Sequence, residues 1–79
     1  MITVRYFAGA REAAGLTTEQ LAGPTSVGAL RGTLATAHPA LAAVLPKCAL
    51  LIAGARAPSD EATIPDTATV DVLPPFAGG

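Results

Sequence analysis

The sequence predicts an α+β domain, a mixed sheet with one main helix packed on one of its faces. Three observations predict it. Residues 2–7 and 69–73 alternate apolar and polar side chains with the period-two rhythm of a half-buried strand. Between them Val27, Leu30, Leu34 and Ala37 recur at helical spacing. The elements run strand, strand, helix, strand, irregular segment, strand, and this order folds most simply as one sheet covered on one side.

In residues 2–7, Ile2, Val4 and Tyr6 share one face while Thr3, Arg5 and Phe7 share the other. Gly9 and Gly15 bracket Ala10-Arg11-Glu12-Ala13-Ala14, long enough for about one helical turn and a stop. Residues 17–21 return as a second strand in a hairpin with the first, although Glu19 and Gln20 are poor strand formers. Residues 22–25 form a loop, and Ser26 is the N-cap of the main helix, which ends before Pro39. Gly28 and Gly32 each weaken that helix by about 1 kcal/mol relative to alanine, so packing must stabilise it.

Residues 40–45 make a short apolar segment closed by Pro46. The continuous apolar run 48–53 predicts a strand covered on both faces. Gly54 turns the chain, and residues 56–67, with Pro58 and Pro65, read as loop and short irregular strand. In the last strand Val70 and Val72 point inward and Thr69, Asp71 and Leu73 outward, until Pro74-Pro75 ends the ladder. Residues 1–75 therefore form the domain and residues 76–79 a flexible tail. The helix covers one sheet face. The other carries Thr3, Arg5, Thr69 and Asp71, as suits water, but also Phe7 and Leu73.

Composition bounds the function. Of 79 residues, 40 are apolar, but 18 of those are alanine, so the core is one thin layer. A net charge of -1 lacks the basic footprint that phosphate backbones require, which argues against nucleic acid as a partner. The longest uncharged run, residues 32–46, is shorter than the roughly 18–20 apolar residues of a membrane span. No basic n-region or cleavage site marks an export signal. The single Cys48 forms no internal disulfide, which suits a cytoplasmic location, and with one His it leaves no cluster for a metal.

The strongest chemical feature is the ending Leu73-Pro74-Pro75-Phe76-Ala77-Gly78-Gly79. A strand finishes, two prolines stiffen the exit, and two glycines leave a carboxylate on a tip thin enough for a narrow channel. Such a carboxylate can be activated as an acyl-adenylate and then attacked by a nucleophile. A frayed terminus is the plainer reading of the same residues.

Together with this ending, Val4-Arg5-Tyr6-Phe7-Ala8 and Arg11-Glu12 resemble the small, sulfur-carrying subunit of molybdopterin synthase (MoaD). That subunit belongs to the ubiquitin-like β-grasp sulfur carriers, with the thiamine-pathway carrier ThiS as a relative. The likeness covers the whole chain in length and element order. Pro-Pro-x-x-Gly-Gly after the last strand favours the molybdopterin subunit over the thiamine carrier.

The resemblance implies a cycle at Gly79. An ATP-dependent activating enzyme adenylates the carboxylate, and a persulfide sulfur donor converts it to a thiocarboxylate. The tail, Pro74, Pro75, Phe76, Ala77, Gly78 and Gly79, then inserts into the large subunit, where sulfur passes to the pterin precursor. It also implies a heterotetramer of two small and two large subunits, no permanently bound cofactor, and no catalysis by this chain alone. Two turns depart from the family pattern: Ala53-Gly54 stands where many members have Asn-Gly, and residues 65–69 lack the usual Asp-Gly-Asp. A carrier for thiamine, cysteine or tRNA thiolation, a ubiquitin-like modifier and an inert interaction module remain alternatives.

Other candidates are weaker. Phe7 and Leu73 form a candidate partner-binding patch, against which stands the ordinariness of isolated surface apolars. Arg11 matches the family's Arg-Glu position and is a candidate partner contact or a solvated helix-end charge. Arg5 and Asp71 pair across strands. Cys48 reads as a small buried hydrophobe, and His38 as a cap on the helix dipole. Residues 23–28 have phosphate-loop glycine spacing but lack the Lys and Ser/Thr that would follow.

Overall fold

A computed structural model of the chain describes residues 1–75. In chain order its elements are β1 (Ile2–Tyr6), α1 (Ala8–Ala14), β2 (Thr18–Leu21), β3 (Thr25–Ser26), α2 (Val27–Ala37), two 3-10 turns (Pro39–Leu41 and Leu45–Lys47), β4 (Ala49–Ile52), β5 (Ala55–Arg56), β6 (Thr63–Ile64) and β7 (Thr69–Leu73). Five strands form a mixed sheet in the order β2-β1-β7-β4-β5. β1 and β7 lie side by side and parallel at its centre, with Arg5 opposite Asp71 and Tyr6 opposite Val72. β2 and β4 flank them antiparallel, pairing Val4 with Glu19 and Leu73 with Ala49.

Alternation decides which side is buried. Ile2, Val4, Tyr6, Val70, Val72 and Leu50 face α2 and are all but inaccessible. Val27, Leu30 and Leu34 supply the helix stripe, and Leu41, Leu45 and Ile64 close the layer around it. As expected, Ser26 caps α2, its Oγ accepting from the Ala29 N–H at 3.1 Å.

Several expectations are corrected. Ala37 is exposed, because the chain leaves the helix at His38 and the His38 ring meets Tyr6 edge-on, 5.9 Å between centroids. β4 is covered on one face only: Leu50 is buried, while Ala49 and Leu51 are half-exposed on the side with no second layer. Part of the 22–25 loop is strand, since Thr25 pairs with Ile64 and Ser26 with Thr63 in a separate two-stranded sheet. Phe7 lies one residue past β1, as the extended residue before α1, but its N–H still donates to Val72 O at 3.2 Å. Gly23 serves packing: a Cβ there would lie 2.6 Å from Ile2 Cδ1 and 3.2 Å from the Asp66 Cα.

The β4–β5 hairpin closes through Ala53 and Gly54, with φ of 52° and 86°. Two positive φ values in a two-residue loop belong to a type I′ turn, which favours Asn-Gly. Alanine pays roughly 1 kcal/mol for the left-handed region. Ala53→Asn is therefore expected to stabilise the domain by about 0.5–1 kcal/mol, read as a higher urea midpoint at unchanged m-value.

Candidate functional site

Because β1 and β7 are parallel, both central strands end at the same edge of the sheet. Phe7 and Leu73 follow or complete these strands, and the chain leaves through Pro74, which is buried, and Pro75, which is exposed. Pro74 thus roots the chain in the domain two residues before residue 76. Phe76, Ala77, Gly78 and Gly79, the rest of the tail singled out above, lie outside the described residues.

The outward face beside this exit is built on one ion pair. Arg5 Nε donates to Asp71 Oδ1 at 2.6 Å and Nη2 donates to Oδ2 at 2.9 Å, a two-pronged contact across the central parallel pair. The hydrogen bond and charge of Asp71 hold the Arg5 guanidinium above its ordinary pKa. The Arg5 guanidinium carbon also lies 5.6 Å from the centroid of the Phe7 ring. The side chains expected to be independent, Phe7 and the Arg5–Asp71 pair, are therefore one structure. Phe7 is 36% exposed and Leu73 is half-buried on the same face.

Leu51 belongs to this face as well, since it pairs with Asp71 in register. Sequence reasoning missed it because the unbroken apolar run 48–53 carries no alternation to mark an outward side. Arg11 is exposed on α1, which packs against the Pro39–Leu41 turn, β1 and β7, and it makes no ion pair among the described residues.

Behind the exit, on the inner face, Tyr6, Glu19 and His38 form a polar cluster. The Tyr6 hydroxyl donates to Glu19 Oε1 at 2.7 Å, and His38 Nε2 lies 2.8 Å from the same oxygen, where a proton on Nε2 makes it a donor. Burial alone would raise the Glu19 carboxyl, but the hydrogen bonds from His38 and Tyr6 and the His38 charge hold it below its ordinary value. Burial, then the Glu19 bond and charge, push the Tyr6 hydroxyl up. His38 therefore ties the end of α2 to β1 and β2. His38 is also the C-cap of α2, its backbone N–H donating to Leu34 O at 2.9 Å. This cluster also explains the unfavourable Glu19 in β2.

Cys48 is buried as expected, with Sγ donating to Val44 O at 3.4 Å, and burial pushes its thiol up against the pull of Arg31. Among the described residues no group of His, Cys, Asp or Glu is placed to hold a metal, and no helix is long and apolar enough to cross a membrane.

The family model described as ThiS matches residues 4–79. The chain belongs to the ThiS family. No curated protein sequence matches it. Among solved structures, this ThiS-family chain is similar to small archaeal modifier protein 1 of Methanosarcina acetivorans: 27% identity, TM-score 0.85, covering 99% of this chain and 95% of that one. SAMP1 of Haloferax volcanii is 26% identical at TM-score 0.80, covering 99% and 98%. A Pyrococcus furiosus protein that carries the name of molybdopterin converting factor, subunit 1, is 22% identical at TM-score 0.82, covering 95% and 97%, and shows the shared fold. The ubiquitin-like β-grasp and the MoaD/ThiS resemblance both hold, and the chain is a ubiquitin-like protein of the class of sulfur carriers and small modifiers.

Proposed function

We propose that the chain is the sulfur carrier of molybdenum cofactor biosynthesis, the small subunit of molybdopterin synthase. The observation that carries this reading is that Pro74 and Pro75 leave the sheet where its central strands end, with Phe76-Ala77-Gly78-Gly79 following them in the sequence. An activating enzyme joins the Gly79 carboxylate to the α-phosphorus of ATP and releases pyrophosphate. Hydrosulfide then attacks the acyl carbon, the C–O bond to AMP breaks, AMP departs with that electron pair, and a thiocarboxylate remains. Within the large subunit that sulfur passes to the pterin precursor, in a heterotetramer of two small and two large subunits. The chain holds no resident cofactor, and ATP belongs to the activating enzyme. Dependence on ATP and on a reduced sulfur donor sets the cycle in the cytoplasm.

Incubation with an activating enzyme, ATP and hydrosulfide is expected to add about 16 Da at Gly79, the exchange of oxygen for sulfur. An unchanged mass beside an enzyme active on its own substrate would refute the reading. The outward patch is the docking face. Phe7→Asp and Leu73→Asp are each expected to weaken large-subunit binding by at least about tenfold, or 1.4 kcal/mol, and to shift the unfolding midpoint by less. Unchanged affinity in titration calorimetry would remove the patch from the site.

A second reading is a protein modifier, in which the activated Gly79 forms an isopeptide with lysines. It is supported by the likeness, above 25% identity, to proteins named small archaeal modifiers. Thiamine, cysteine and tRNA thiolation use the same terminal chemistry with other acceptors, and the partner that co-purifies separates them.

A further inference from the structure

We infer that the outward face meets its partner along two rows, an apolar row at the exit edge that includes Leu16 and an arginine row behind it formed by Arg5 and Arg56. The partner surface it fits is an apolar ridge flanked by carboxylates. The inference rests on the docking face put forward above and names the chemistry of what docks there.

The register of the sheet draws both rows. Tyr6 pairs with Val72, and one step further Phe7, whose N–H donates to Val72 O, stands beside Leu73. On the other flank Arg5 pairs with Thr18, the Tyr6 N–H donates to Thr17 O at 2.8 Å, and the next step sets Leu16 opposite Phe7. Leu16, Phe7 and Leu73 thus follow one another across three neighbouring segments at the edge where the chain leaves. Leu16 is 37% exposed, as open as Phe7. Among the described residues the only other large apolar side chain so open is Met1, at the far end of β1.

Two residues back, about 7 Å along the strands, the same registers align Thr18, Arg5, Asp71, Leu51 and Arg56 across all five strands. By alternation, the charged strand residues of this face are Arg5, Asp71 and Arg56, two cations against one anion in a chain of net charge -1. The anion is already engaged: Asp71 is buried, and both of its oxygens accept from Arg5. The Arg5 side chain is nevertheless half exposed, and its Nη1 makes no hydrogen bond among the described residues. Arg56 is exposed on the edge strand β5 and makes no ion pair among the described residues. The other side-chain carboxylates lie elsewhere, Glu12 on α1, Glu19 on the inner face, and Asp60, Glu61 and Asp66 in the segments on either side of β6.

This distribution selects the partner. An exposed guanidinium contributes little while it stays in water. Beside an apolar row that excludes water, it needs an acceptor or it is desolvated at a cost. A basic surface would be repelled and a wholly apolar one would strand the arginine donors, whereas carboxylates satisfy them and speed the encounter.

The test uses the full chain and the large subunit of molybdopterin synthase, with association and dissociation rates measured from about 0.05 to 0.5 M NaCl. R56E is expected to slow association about tenfold at low salt and to leave dissociation within about twofold, with the difference closing at high salt. R56K should keep the parental rates. L16A should speed dissociation about five- to tenfold at every salt concentration. Urea midpoints of these variants should match the parent, since Leu16 and Arg56 are exposed. Parental association by R56E, or a loss that high salt leaves unchanged, would overturn the arginine row, and parental dissociation by L16A would overturn the extension of the apolar row. Either result beside a weakened Phe7→Asp leaves the docking face standing. Absence of binding by the parent chain would overturn both.

Discussion

Deleting Gly79, or appending one residue after it, is expected to abolish the gain of about 16 Da while leaving the domain folded. The loss should be complete, not graded, because the reacting group is the terminal carboxylate itself. Deletion leaves a carboxylate one residue short of the position the channel presents to ATP, and a shift of one residue moves it about 3.3–3.6 Å. Extension turns the Gly79 carboxyl into an amide and moves the terminal carboxylate one residue beyond that position. The fold has no stake in either change. Its buried side chains lie between Ile2 and Val72, and Pro74 closes the described core before the tail begins. Mass spectrometry after activation reads the first effect, and a urea midpoint equal to that of the parent reads the second. A truncated chain that still gains sulfur would place the carrier group elsewhere.

Glu19→Ala is expected to have the largest effect on stability, costing about 2 kcal/mol or more. It removes the acceptor shared by Tyr6 and His38 and leaves two largely buried polar groups without their partner, each worth about 1–3 kcal/mol. For a domain of this size that is a substantial fraction of the whole, at roughly 0.05–0.15 kcal/mol per residue. Glu19→Gln separates shape from charge, since the amide oxygen still accepts.

The pH dependence has a definite sign. The Glu19 carboxyl is held below its ordinary value of 4.5 in the folded state, so its contribution is present above that pH and is lost as pH falls through the folded value. Tyr6 is raised above its ordinary value of 10.0, so its contribution is complete below that pH and is lost as pH rises beyond it. Urea midpoints of the parent should therefore decline at both extremes. In Glu19→Gln the acid limb should flatten. An acid limb of unchanged slope would show that other carboxylates govern it.

Much of this fold is written locally. The alternation in residues 2–6 and 69–73 marks both central strands, because one face of each meets a helix and the other carries polar side chains, although Asp71 there proves buried and not solvated as expected. Ser26 announces α2 through its own cap. What sequence does not display is set by distant partners. Ala49-Leu50-Leu51-Ile52 is apolar throughout, and only the absence of a second layer makes Leu51 an outward residue. β3 and β6 are two residues each, too short for any period to register, and they exist through pairing across the chain. His38 looks like a helix-end charge until Glu19, nineteen positions away, is folded against it. The exit residues Pro74 and Pro75 were legible from their chemistry, whereas the union of Phe7, Arg5 and Asp71 depends on the parallel register that joins them.

That register has a consequence for biosynthesis. The two strands at the middle of the sheet come from residues 2–6 and 69–73, so β1 waits for β7, the strand described furthest along the chain. Closing a loop of that length is slow relative to local hairpins, and most of the burial of Ile2, Val4 and Tyr6 is deferred until it closes. A nascent or truncated chain that stops short of β7 lacks the neighbour that organises its centre and is open to proteolysis. β1 therefore gains its central neighbour only once synthesis has passed residue 73.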